Sequence, residues 1–307
     1  MRTAENPKIG LDNVVIAKLL NDVAGTTPPS YSEVIALKGA VTATVNPNSS
    51  VETDYADNGA FFVADNRANI ELSLELTNVA PDVLAMMLGQ KRENGVTVET
   101  NQDQSPYFAM GFRVWIGGTD DAGNKIYEYF WYAKGKFSVP ESGGNTKGES
   151  IEFQHVSMTA QFVSTMFSPD GKGGIFCTHA RTDYDTPASL INNWFNAPVL
   201  VTNPDTTALT VEAEQGSSKA KIVITGTKAS GSDCEIAESS IKLGENLLIL
   251  KGGNQVEGTI AVEGDEITFT ANSAFSTSDE VTVAVTSGLK DVYGVGATPY
   301  STVITIA

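Results

Sequence analysis

The residues able to do chemistry are few and scattered. The chain holds two histidines, His155 and His179, and two cysteines, Cys177 and Cys234. Neither histidine stands in a His-x-x-x-His or Cys-x-x-Cys context. The cysteines lack ligand-like spacing, so neither a zinc site nor a structural disulfide is expected. Asp54/Asp57 and Asp183/Asp185 have the residue types of a glycosidase pair, but carboxylate pairs in polar loops of an acidic chain are usually solvated. Gly171-Lys172-Gly173-Gly174 is glycine-rich but opens no helix, so it lacks the helix-terminal amides that cradle a phosphate. Asp120-Asp121 with Asn124 loosely resembles a calcium loop. It lacks the bidentate glutamate that closes one, and reads as a turn. P-loop, nucleophile-elbow and zincin motifs do not occur. No catalytic residue, metal ligand or cofactor is assigned, and the chain reads as a non-enzyme.

Charge narrows the partners. The net charge is −17, with 23 acids against 14 bases in residues 1–200 and 14 against 6 thereafter. Both parts are acidic, the opposite of the Lys/Arg excess that neutralises phosphates in stable nucleic-acid binding. The beginning, Met-Arg-Thr-Ala-Glu-Asn-Pro, lacks the apolar core of a signal peptide. No apolar run approaches the ~18 residues of a membrane span. The expectation is a chain made in the cytoplasm and soluble until it assembles.

Any functional surface must therefore be built by the elements themselves. The chain has 307 residues with 41% hydrophobic, which suggests about two domains of about 150 residues with real cores. Residues 13–20 fit a strand or a short helix, and length does not decide. Strands are expected at 34–37 and 41–45, and a polar stretch at 46–59 with short pairing near Val51 to Tyr55. The clearest strand is 69–77. Ile70, Leu72, Leu74 and Leu76 take one face, and Asn69, Glu71, Ser73, Glu75 and Thr77 the other. That wet face is the candidate functional face, with bulk solvent as the equal alternative. A helix is expected to start at Asn78 or Pro81 and end at Gly89, with Val83, Met86 and Met87 on one face that packs into the core. Strands follow near 96–100, 107–117 and 125–137, the last two joined through a turn at 119–124, and a long loop at 138–148. In a strand at 149–164 the apolar phase flips near His155, which predicts a β-bulge there. A short helix is expected at 187–195, capped by Asp185 or Thr186, and a linker at 197–204. Seven short strands then recur at 208–213, 220–225, 246–251, 256–262, 265–271, 280–286 and 300–306, the texture of an immunoglobulin-like sandwich held by aliphatic burial. The domains expected are 1–200 and 204–307.

Several blocks, in order, carry a resemblance. They are Gly39 to Val63, Asn78-Val79-Ala80-Pro81-Asp82-Val83-Leu84 to Leu88-Gly89, Tyr107-Phe108-Ala109-Met110-Gly111-Phe112, Trp131-Tyr132-Ala133-Lys134-Gly135-Lys136-Phe137-Ser138, Lys147 to Gln154, and Ile191-Asn192-Asn193-Trp194-Phe195. Together they cover roughly residues 8–197 and resemble the major tail protein family of long, flexible-tailed phages of Gram-positive bacteria. Asp279 to Gly294 is similar to the late strand and turn of bacterial immunoglobulin-like domains. The resemblance implies a mainly β fold: a tail-tube-type β-sandwich with a flanking helix, plus a C-terminal Ig-like β-sandwich. It implies a structural virion protein whose hexameric rings stack into a tube that conducts DNA into the host, with the wet face of 69–77 turned to the lumen or a neighbouring ring. Its partners would be further copies of itself, the tape-measure and tail-terminator proteins, DNA in transit without specific binding, and the host surface through the Ig-like domain. The alternative is an adhesin-like protein that binds cell surfaces.

Overall fold

The computed structural model describes residues 6–307 apart from 121, 122, 142, 145, 147–152, 170, 172, 185, 202–204, 232 and 233. The chain is mainly β and forms several antiparallel sheets. It divides into two compact units, Met1–Pro29 with Val34–Thr186, and Ser30–Glu33 with Pro187–Ala307. Composition points to a boundary at 197–204. The observed division falls earlier, so the short helix after Thr186 belongs with the second unit.

In the first unit the strands are β1 (Lys8–Asn21), β3 (Ile35–Ala36), β4 (Ala40–Ala56), β5 (Gly59–Leu76), β6 (Lys91–Glu93), β7 (Val96–Val98), β8 (Phe108–Thr119), β9 (Lys125–Phe137), β10 (Val156–Val163) and β11 (Cys177–Arg181), with helix α1 (Pro81–Leu88) after β5; β2 (Ser30–Tyr31) counts with the second unit. The main sheet runs β1-β8-β9-β10-β5-β4, with β3 added to β1 and β11 to β9. One face of this path closes over a single core. Val14 and Ile16 of β1, the four aliphatics of β5, Phe108, Met110 and Phe112 of β8, Tyr132 and Phe137 of β9, and Met158, Ala160 and Phe162 of β10 all meet there. The ambiguous segment 13–20 is thus strand, because Val14 and Ile16 alternate into this core. Helix α1 adds Met87, starts with Pro at its first turn and ends where Gly89 turns left-handed at φ 70°.

The long strand expected at 149–164 begins only at Val156, and its register with β5 runs unbroken from Val156 to Phe162. The change of phase at His155 is therefore the entry into the strand, not a bulge within it. Residues 149–152, and residues 142, 145, 147 and 148 of the expected 138–148 loop, lie outside the described residues.

Glycine sets one packing limit. Gly135 pairs with Phe108 on one side and Phe162 on the other. A Cβ at Gly135 would sit 2.5 Å from the fully buried Phe162 ring. Gly135→Ala is expected to destabilise the first unit by about 1–3 kcal/mol through overpacking. A urea titration followed by Trp fluorescence checks it, and an unchanged midpoint would show that the ring yields freely.

The second unit contains α2 (Ala188–Asn193) and strands β12 (Leu209–Gln215), β13 (Lys221–Lys228), β14 (Leu247–Lys251), β15 (Asn254–Gln255), β16 (Gly258–Glu263), β17 (Glu266–Ala271), β18 (Glu280–Val285) and β19 (Tyr300–Thr305). Two four-stranded antiparallel sheets, β12-β13-β17-β16 and β15-β14-β18-β19, share one aliphatic core. Every buried member of that core lies between Leu209 and Ile306. A fragment of residues 205–307 is accordingly expected to fold alone, with one cooperative urea transition and a β-type circular dichroism spectrum. A non-cooperative loss of signal would show that it needs the rest of the chain.

Candidate functional site

The candidate face on β5 is part of a wider polar carpet. Strand β5 lies between β4 and β10, and the register sets Asn46 beside Glu71 and Glu71 beside Gln161, then Thr44 beside Ser73 and Ser73 beside Thr159. The carpet thus carries Thr42, Thr44, Asn46 and Asn48 from β4, Asn69, Glu71, Ser73 and Glu75 from β5, and Ser157, Thr159 and Gln161 from β10. The aliphatics of β5 fix this orientation, because period two leaves the intervening side chains no other direction.

Hydrogen bonds tie the carpet together across the strands. Asn48 Nδ2 donates to Asn69 Oδ1 at 2.9 Å, Asn69 Nδ2 donates to Gln161 Oε1 at 2.5 Å, and Gln161 Nε2 donates to Glu71 Oε2 at 3.1 Å. Glu75 Oε1 lies 2.8 Å from His155 Nδ1, and Glu75 Oε2 accepts from Thr42. The structure therefore brings Asn69, Glu71, Ser73 and Glu75 onto one face. Thr77 lies one residue past the strand, where its N–H donates to the Gly39 carbonyl at 2.7 Å. Lys136 stands next to Gln161 in the same register, so the face is mixed: two carboxylates and one ammonium among amides and hydroxyls. Neighbouring Lys134 is neutralised by Asp22 at 2.7 Å. The alternation of Ser157, Thr159 and Gln161 against Met158, Ala160 and Phe162 could have revealed the β10 part of the carpet. A search centred on β5 alone misses it.

Beyond the carpet, β4 and β5 run on as a two-stranded arm. Residues 46–56 and 59–68 are exposed throughout, yet they pair from Asn48↔Asn69 out to Ala56↔Gly59. The expected polar loop at 46–59 is thus one strand of this arm and its turn. Asp57 and Asn58 form the two-residue turn with φ of 50° and 64°, the left-handed geometry that Asp, Asn and Gly favour. At about 3.3 Å per residue the arm reaches roughly 30 Å from the sheet. Its apolar side chains have no core to enter: Val51, Tyr55, Phe61, Phe62 and Val63 are 58–76% exposed. Thr53 pairs with Val63 and Asp54 with Phe62, so Val63 and Phe62 project from opposite faces of the ribbon. In addition, β4 ends the order of the sheet, which is an open edge among the described residues.

The remaining reactive residues among those described do not converge. Asp54 lies on the arm and Asp57 in its turn. Asp183 is held by Arg181, with Nη2 3.0 Å from Oδ2, while Asp185 lies outside the described residues. Asp120 Oδ1 accepts the Asn124 N–H at 2.7 Å, a turn contact; Asp121 is not described. Gly173 donates to Ser168 Oγ, and Lys172 is not described. His179 lies on β11 with its ring 6.2 Å from that of Phe130. Cys177 and Cys234 are free thiols in different units. Burial pushes each up to about 11, which keeps both protonated and unreactive at neutral pH. Among the described residues no group of three His, Cys, Asp or Glu could hold a metal ion. No helix there is long and apolar enough to cross a membrane. No protein-family model matches the chain, and no curated protein matches it.

Proposed function

We propose that this chain is a structural subunit of a phage tail tube, whose copies form hexameric rings that stack around a DNA conduit. The observation that carries this reading is the β4–β5 arm. A two-stranded ribbon is marginal in water by itself, and an open, partly apolar edge is a liability for a protein that stays monomeric. Both features become stabilising when a second copy supplies the missing neighbours. The ordered resemblance of residues 8–197 to major tail proteins points the same way.

On this reading the carpet of amides, hydroxyls and few charges is the face that meets passing DNA. Such a surface offers little attraction to phosphates, so DNA slides rather than binds. The second unit is an Ig-like decoration on the outside of the tube, since a sandwich pointing inward would obstruct the conduit. The role is structural rather than catalytic, the location is the virion tail, and the tape-measure and tail-terminator proteins set tube length.

Sedimentation velocity of the full chain over a concentration series tests the reading. Growth from monomer to ring-sized and longer particles is expected. A single monomeric species at every concentration, coupled with binding to host cell walls, would favour the adhesin-like alternative.

A further inference from the structure

Lys228 and Asp291 form the one ion pair among those described whose side chains are both essentially inaccessible, each 1% exposed. Lys228 closes β13, and Asp291 stands in the loop ahead of β19, 63 residues later. Buried Leu209, Ile236, Leu289 and Ala297 belong to the core of this unit. Leu209 pairs with Lys228 and Ile236 bridges to Asp291.

The contacts of the pair are uneven. Nζ of Lys228 lies 2.6 Å from Asp291 Oδ2, its one partner among the described residues. An ammonium has three N–H donors, so a buried ammonium with one acceptor is poorly satisfied. Transfer of a proton to Oδ2 gives a neutral amine beside a carboxylic acid and removes both charges from the dry interior. Burial also pushes the Asp291 carboxyl above its ordinary range, which favours the acid. The other oxygen, Oδ1, accepts two backbone N–H groups, from Tyr293 at 3.0 Å and Val295 at 2.8 Å. Those two donors are placed where negative charge would develop if a nucleophile added to Cγ.

We propose that Lys228 and Asp291 condense to an amide, an intramolecular cross-link that ties β13 to the loop before β19. The lone pair of neutral Nζ adds to Cγ. The Cγ=Oδ1 electrons move onto Oδ1, held by the Tyr293 and Val295 N–H groups. A proton passes from nitrogen to the departing Oδ2, which leaves with its own proton as water, and the Nζ–Cγ bond remains. One amine and one acid give one amide and one water, with no oxidant or cofactor. The pair is preorganised by the fold at contact distance, and its dry surroundings oppose the reverse hydrolysis. The cross-link would lock this loop of the second unit independently of any assembly role.

Intact mass spectrometry of the purified full chain, followed by a protease digest, tests this. The expected result is a mass one water below that of the sequence and a branched peptide joining the segments that hold Lys228 and Asp291. Lys228→Met should restore the full sequence mass. If that variant does not fold, the digest of the unaltered chain decides alone. A full sequence mass for the unaltered chain would overturn the proposal. So would a one-water loss with no joined peptide, because that pattern marks a succinimide at an aspartate instead.

Discussion

Replacing Phe62 and Val63 together by glutamate is expected to abolish assembly while leaving the subunit folded. The two side chains are 62% and 58% exposed and project from opposite faces of the arm. Neither belongs to the core of the first unit, so the cost to subunit stability should stay within about 0.5 kcal/mol per site. In a tube the same positions would be covered by neighbouring copies. A carboxylate buried there without a partner costs several kcal/mol, and the cost recurs at every copy around each ring. At a concentration where both chains are monomeric, circular dichroism should show melting midpoints within a few degrees of each other, and at higher concentration sedimentation should show monomer where the unaltered chain is expected to form large particles. Assembly at the unaltered concentration would remove the arm from the interface.

Glu71→Lys with Glu75→Lys should act on passage rather than assembly. The aliphatic face of β5 is untouched, and the lost contacts to Gln161, Thr42 and His155 are partly exposed, so their loss costs about 1 kcal/mol or less. Each copy, however, changes from two carboxylates and one ammonium on the carpet to three ammoniums. Positive charges repeated around a lumen would lie within a Debye length of about 8 Å from a threading phosphate backbone and would hold it. Such tubes are expected to assemble, yet to retain DNA or release it slowly, and the delay should shrink as salt rises. Unchanged release at low salt would place the carpet in bulk solvent.

The elements with a clean period were legible in the sequence. The core-facing part of β5, the Pro81–Leu88 helix with its left-handed glycine, β8, β9 and the seven strands expected after residue 204 all lie close to where alternation and turn residues put them, and the two-residue β15 alone was not foreseen there. The core part of β5, the helix and the strands of the second unit bury mainly one face, so burial wrote their pattern, whereas β8 and β9 bury both faces at Phe108 to Phe112 and Trp131 to Ala133 and were marked by their aromatic runs and the turn between them. The arm was not legible for the converse reason. Residues 46–56 and 59–68 bury neither face within this chain, so nothing imposes a period and the composition reads as loop. The signal that remained was local, the Asp57-Asn58-Gly59 turn. Strand β11 escaped for a different reason: Cys177 to Arg181 is short and only partly buried, and its pairing with Glu128 to Tyr132 of β9 is set by tertiary structure. At His155 the phase change was real, but the sequence could not distinguish a bulge from a strand that begins there.

The candidate face was half legible. Alternation placed Asn69, Glu71, Ser73 and Glu75 together, but their neighbours on β4 and β10 depend on long-range register. Only that register reveals Lys136 beside Gln161, one strand away from Glu71, and the amide chain from Asn48 to Glu71.

Electron cryo-microscopy of the purified full chain after concentration addresses the tube reading most directly. The account predicts stacked six-fold rings, with residues 46–68 of each copy covered by neighbouring copies and Glu71 and Glu75 on the wall of a central channel. Dispersed monomers with the arm in solvent, or rings whose channel is lined by other strands, would contradict it.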